Sequence, residues 1–130
     1  MNEVRSEGLE IFRDMLPGLL PDGEASIRDG QFAEELPELV VDHVYAALWA
    51  RPGLDRRSRS LVTLGALIAL RASELESHFP IALRNGITIE ELEEVVYHTA
   101  GYVGYPAAFS AREVARKVLR SQATQPSSTG

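Results

Sequence analysis

Apolar residues along this chain recur at three- and four-residue steps, and no stretch shows the strict alternation of a half-buried strand. A first amphipathic segment covers residues 3–16, with Ile11, Phe12, Met15 and Leu16 on one face and Pro17-Gly18 ending it. Residues 17–30 (PGLLPDGEASIRDG) carry turn formers and are expected to be a loop. Phe32, Leu36, Leu39, Val40, Val44 and Leu48 predict a helix over 32–49, or from about 36 if Pro37 occupies its first turn. Asp55 offers an N-cap for a helix over 56–70. Ser73 and Glu76 have capping-box spacing for a helix over 74–84, which Pro80 should bend and Asn85-Gly86 should end. Thr88 and Glu91 repeat the capping box for a helix to about 101, and Pro106 suits the opening of a last helix to about 120. The pattern predicts an all-α, single-domain bundle of about six helices over 1–120. The tail 121–130 (SQATQPSSTG) has nothing to bury and is expected to be disordered.

Composition narrows the function classes. One domain is what 130 residues support. A net charge of −6 argues against general affinity for nucleic acid or anionic membranes, although Arg51, Arg56, Arg57 and Arg59 cluster locally. With no cysteine, disulfides and thiol chemistry are excluded. The charged N-terminus has no signal-peptide core, and the apolar run from Leu61 to Leu70 is too short to span a bilayer. These features lead to the expectation of a cytoplasmic protein.

Few residues stand out as candidates for chemistry. Arg71, Glu74 and His78 are spaced by three and four residues, so Glu74 and His78 share a helix face with Arg71 just before its first turn. A guanidinium, a carboxylate and an imidazole together can hold an acidic group and move a proton near neutral pH. The same spacing also describes an ordinary salt-bridged surface, worth little energetically. His98 lies among Val95, Val96, Tyr97 and Tyr102, a setting that suggests it faces inward. His43, His78 and His98 lack the close pairing of a zinc helix, so no metal site is expected. Tyr45, Trp49 and Phe109 read most simply as core or subunit-contact residues, and GYVGYPAAF (101–109) allows either close helix approach or an apolar pocket wall.

Three stretches, RPGLDRRSRSLVTLGALIALRASELESH (51–78), ALRNGITIEELEEVVYHTAGY (82–102) and VGYPAAF (103–109), resemble the carboxymuconolactone decarboxylase family in order and spacing over about half the chain. The resemblance implies an alkylhydroperoxidase D-like helical fold assembled as a trimer or hexamer. The family's peroxidase branch carries Glu-x11-Cys-x2-Cys-x3-His, and aligning its histidine on His78 puts Glu74 and Arg71 at the cysteines and Arg59 at the glutamate. Without a thiolate that chemistry has no nucleophile. The decarboxylase branch matches better, with an Arg-x2-Glu-x3-His like Arg71, Glu74 and His78 and a His-Thr-Ala like residues 98–100. It implies a cofactor-independent carboxy-lyase acting on a small conjugated lactone or related carboxylic acid. His78 would be the proton donor, Glu74 its orienting partner, and Arg71 and Arg59 the carboxylate clamps. His98, Trp49 and Tyr105 would contribute to substrate binding. Two departures, Tyr45-Ala46-Ala47 where the branch has Trp-Gly-Glu and Phe109 where it favours Asn, point to a less polar pocket. They leave open a lyase, isomerase or cyclase acting on a larger polyketide-like compound, and a non-catalytic binding or assembly module.

Overall fold

The computed structural model describes residues 3–18 and 28–123, and every described element is helical. The chain divides between Asp55 and Arg56 into two compact units. Of the loop expected over 17–30, residues 19–27 lie outside the described residues, as do residues 124–130 of the expected tail.

The first unit is built from α1 (Glu3–Met15), α2 (Leu36–Val40) and a π-helical segment, Val41–Trp49. Leu9, Ile11, Phe12 and Met15 form the buried face of α1. Phe12 meets the edge of Tyr45 at 5.5 Å between ring centroids, and Tyr45 stacks on Trp49 at 6.4 Å. Gly8 lets the two helices touch: a Cβ there would lie 2.7 Å from the Ala46 Cβ and 2.9 Å from its backbone nitrogen. Pro37 occupies the first turn of α2, where its missing donor costs nothing. The helix predicted over 32–49 thus starts at 36 and changes its winding at Val41, where bonds such as Ala50 N–H to the Tyr45 carbonyl (3.1 Å) span five residues. Periodicity gave no sign of this, because apolar residues at i+3 and i+4 fit both windings.

The second unit comprises α3 (Arg56–Leu70), α4 (Leu75–Arg84), α5 (Ile89–Val103) and α6 (Tyr105–Ala123). Its core gathers Leu64 and Ile68 of α3, Leu75, Phe79 and Ala82 of α4, Leu92 of α5, and Ala107 and Ala111 of α6, with Ile87 closing one end. The alanines let α6 approach closely. The amide of Asn85 donates to the buried hydroxyl of Ser60 (2.9 Å), tying the end of α4 to the start of α3.

Of the two capping boxes expected, one forms. Thr88 Oγ1 accepts from the Glu91 N–H (3.1 Å), and Glu91 Oε1 accepts from the Thr88 N–H (2.9 Å). The other Glu91 oxygen pairs with Arg57, and together these partners hold the Glu91 carboxyl below the usual range, the Thr88 backbone contributing most. The Ser73–Glu76 box does not form. The Glu76 N–H is already taken by the Ser73 backbone carbonyl (3.1 Å), and the Glu76 carboxylate reaches Lys117 on α6 (2.8 Å) instead. The last helix runs through Ala123, three residues into the expected tail.

Candidate active site

The joint between α3 and α4 positions Arg71, Glu74 and His78. Two backbone bonds close α3, Arg71 N–H to the Ile68 carbonyl (3.1 Å) and Ala72 N–H to the Leu67 carbonyl (3.0 Å), the pairing of a Schellman motif. The motif requires a left-handed residue, and that residue is Arg71, with φ of 52°. The same arrangement closes α4, where Gly86 N–H meets the Leu83 carbonyl (3.1 Å) and Ile87 N–H the Ala82 carbonyl (3.0 Å). There the left-handed residue is a glycine, φ 95°. For a residue with a Cβ the left-handed conformation costs roughly 1–2 kcal/mol.

Beyond this joint Glu74 is the N-cap residue of α4, and its backbone carbonyl accepts from the His78 N–H (3.0 Å). Arg71 and Glu74 are exposed, and His78 is half-buried beside the fully buried Phe79. Burial pushes the His78 imidazole below its ordinary value, and the nearby Glu74 carboxylate partly opposes this. The imidazole is therefore neutral at neutral pH, able both to donate one N–H and to accept one proton. Chemically, Glu74 and His78 offer a titratable ring and a carboxylate that biases it toward its protonated form, and Arg71, without a hydrogen bond or ion pair to either side chain, is a cation at the joint just before them.

The other predicted residues lie elsewhere. Arg59 stands about three helical turns, roughly 18 Å, before Arg71 on α3, and its neighbour Ser60 bonds to Asn85 at the opposite end of α4 from Glu74. Within one chain Arg59 does not join the cluster. His98 is exposed, correcting the inward placement: it faces an open groove between α3 and α5 with Val62, Ala66 and Thr99, and packs against Tyr102 at 5.3 Å. Trp49 is buried in the first unit against Tyr45, which favours its core reading over a pocket wall. Tyr105 opens α6 and is 70% exposed. No cluster of three or more metal-ligating side chains occurs among the described residues.

Of the two roles that residues 101–109 allowed, the pocket wall is found in the second unit. Two adjoining hollows of about 330 Å³ each run between α5 and α6, sharing Val96, Tyr97 and Arg112. Tyr105 and Phe109 line one of them, with the Arg112 guanidinium 5.3 Å from the centre of the Phe109 ring. The three-residue spacing of Phe109 and Arg112 was the available signal.

Comparison with known proteins identifies the family. Residues 34–117, more than half of the chain, match the Carboxymuconolactone decarboxylase family. The chain belongs to that family. It is 35% identical to 4-carboxymuconolactone decarboxylase of Acinetobacter baylyi, over 92% of this chain and 90% of the relative. It is 36% identical to nitrosuccinic acid decarboxylase of Metarhizium robertsii, over 87% of this chain and 79% of the relative. A further relative, an uncharacterized 15.0 kDa protein of Paracoccus denitrificans, is 30% identical over two thirds of each chain. Two of the three are carbon–carbon lyases, and this family member is an enzyme of that kind. No described helix is long and apolar enough to cross a membrane.

Proposed function

We propose that the protein decarboxylates a small acid that carries a second carboxylate and an electron-withdrawing group next to the bond that breaks. The observation that supports this reading is the half-buried His78 beside Glu74 at the head of α4, with Arg71 at the joint before it, in a chain similar along most of its length to two decarboxylases. The substrates in those relatives' names have a common chemistry. In each, loss of CO2 leaves an electron pair that an adjacent acceptor delocalises, a conjugated lactone carbonyl in one and a nitro group in the other. Such a reaction needs no cofactor, because the substrate supplies its own electron sink.

In this reading Arg71 holds a carboxylate by a two-pronged contact and stabilises the negative charge that moves into the acceptor. The C–CO2 bond breaks, CO2 departs, and the delocalised carbanion takes one proton from His78, which Glu74 orients and helps to charge. Arg59 and His98 join from a second copy of the chain, so the reading includes a homo-oligomer, a trimer or hexamer. The aromatic groove with Tyr97, Tyr105 and Phe109 favours a second reading, the same chemistry or a related isomerisation on a larger, less polar acid.

The test is CO2 release from a panel comprising 4-carboxymuconolactone, nitrosuccinate, a β-keto acid and an aromatic polyketide acid. Turnover confined to the first two, and lost when the second carboxylate is esterified, is the expected result. Turnover only of the aromatic acid favours the second reading. No release from any member, with the protein folded and oligomeric, favours a binding module.

A further inference from the structure

The two helix ends of the second unit provide an internal comparison. α3 and α4 both finish in a Schellman motif with the same pair of backbone bonds, and both have a left-handed residue at the same place in it. At Gly86 the left-handed backbone carries no side chain, and a Cβ built there has no heavy atom within 4 Å. Conformation alone therefore accounts for glycine at that position. At Arg71 the same conformation carries one of the longest side chains, which is exposed and makes no hydrogen bond or ion pair among the described residues. Among the described residues of this unit, no contact rewards arginine over glycine there.

The geometry points to position 71 as a strained anion-recognition position, where arginine is kept against the backbone preference because the guanidinium binds substrate carboxylate. This rests on the reading that the α4 cluster is the active site, and adds how its cation is presented. The bonds on either side of the Arg71 Cα run to carbonyls of Ile68, which is buried, and Leu67, which packs against the same core. The root of the side chain is thus fixed to the core, and only its χ angles remain to be ordered on binding. A left-handed residue also turns the chain out of α3, so Arg71 stands at the joint that leads into α4, three residues before Glu74. The class of ligand is a small dicarboxylate, since a planar two-pronged donor is matched by a carboxylate.

The experiment compares Arg71→Gly, Arg71→Lys and Gly86→Ala with the full wild-type chain, using thermal unfolding and calorimetric titration with succinate, an unreactive dicarboxylate. Succinamide is the uncharged control. Arg71→Gly should raise the melting temperature by about 3 °C and weaken succinate binding at least tenfold. Arg71→Lys should melt with the wild type and bind with intermediate affinity. Gly86→Ala should melt lower and bind succinate normally, which calibrates the backbone effect in the same unit. The inference is overturned if Arg71→Gly melts at or below the wild-type temperature, because the backbone is then not strained or the side chain is structural. It is equally overturned if Arg71→Gly melts higher but binds succinate unchanged, or if the wild type does not prefer succinate to succinamide. Because succinate does not react, these outcomes are separate from the turnover of a His78 variant, on which the decarboxylase reading depends.

Discussion

His78 is the residue at which stability and chemistry meet. Its imidazole is held below the ordinary histidine value by burial, with Glu74 opposing. The unfolded chain therefore binds a proton near pH 6.5 that the folded chain refuses until lower pH. In that window stability rises with pH, so this contribution is complete above about pH 6.5 and is lost as pH falls toward the folded value. Urea unfolding of wild type and His78→Gln between pH 5 and 7.5 should show the wild type losing stability on the acid side and the variant losing less. Parallel profiles would mean the imidazole is not desolvated. Catalysis has the opposite sign. If the imidazolium delivers the proton, turnover limited by that step climbs as pH drops through the same range. The sequence made Arg71, Glu74 and His78 visible through spacing alone. It did not reveal that Arg71 is left-handed, because a Schellman position is normally announced by glycine, as at Gly86.

At the level of elements, the clearest dependence is the contact between α1 and the π-helical segment. A methyl at residue 8 would meet the Ala46 backbone nitrogen at 2.9 Å, so the helices would have to separate. Gly8→Ala should destabilise the protein by about 1–2 kcal/mol, the overpacking cost less the better helix propensity of alanine. A gain in urea stability would show that the two helices are not closely packed there. Helix limits were legible where residues close in sequence satisfy the helix end. Thr88 with Glu91, Asn85-Gly86 and Pro37 each act where the spacing placed them. Legibility failed where two bonds competed for one group. The Glu76 N–H went to the Ser73 backbone carbonyl, and the Glu76 carboxylate found Lys117, which is distant in sequence. The π winding of Val41–Trp49 escaped for a related reason, since it reflects how the segment packs rather than which residues compose it.

For the whole molecule, the α5–α6 surface bears on assembly. Tyr97 is 64% exposed, Tyr105 70% and Phe109 54%, around the shared groove. Contiguous aromatic exposure of this kind is more than a small monomer usually carries. Light scattering at micromolar concentration should therefore give a mass of three or six chains, and a glutamate at Phe109 should lower it. A monomer of unchanged mass in both cases would remove the route by which Arg59 and His98 reach the site. Whether the head of α4 does the chemistry is decided by CO2 release from wild type and His78→Ala on the best substrate of the panel. Both should be assayed at equal oligomer content and at a temperature well below both melting transitions. The His78→Ala variant should lose at least about a hundredfold in kcat with little change in melting temperature. Full turnover by the variant would contradict that assignment.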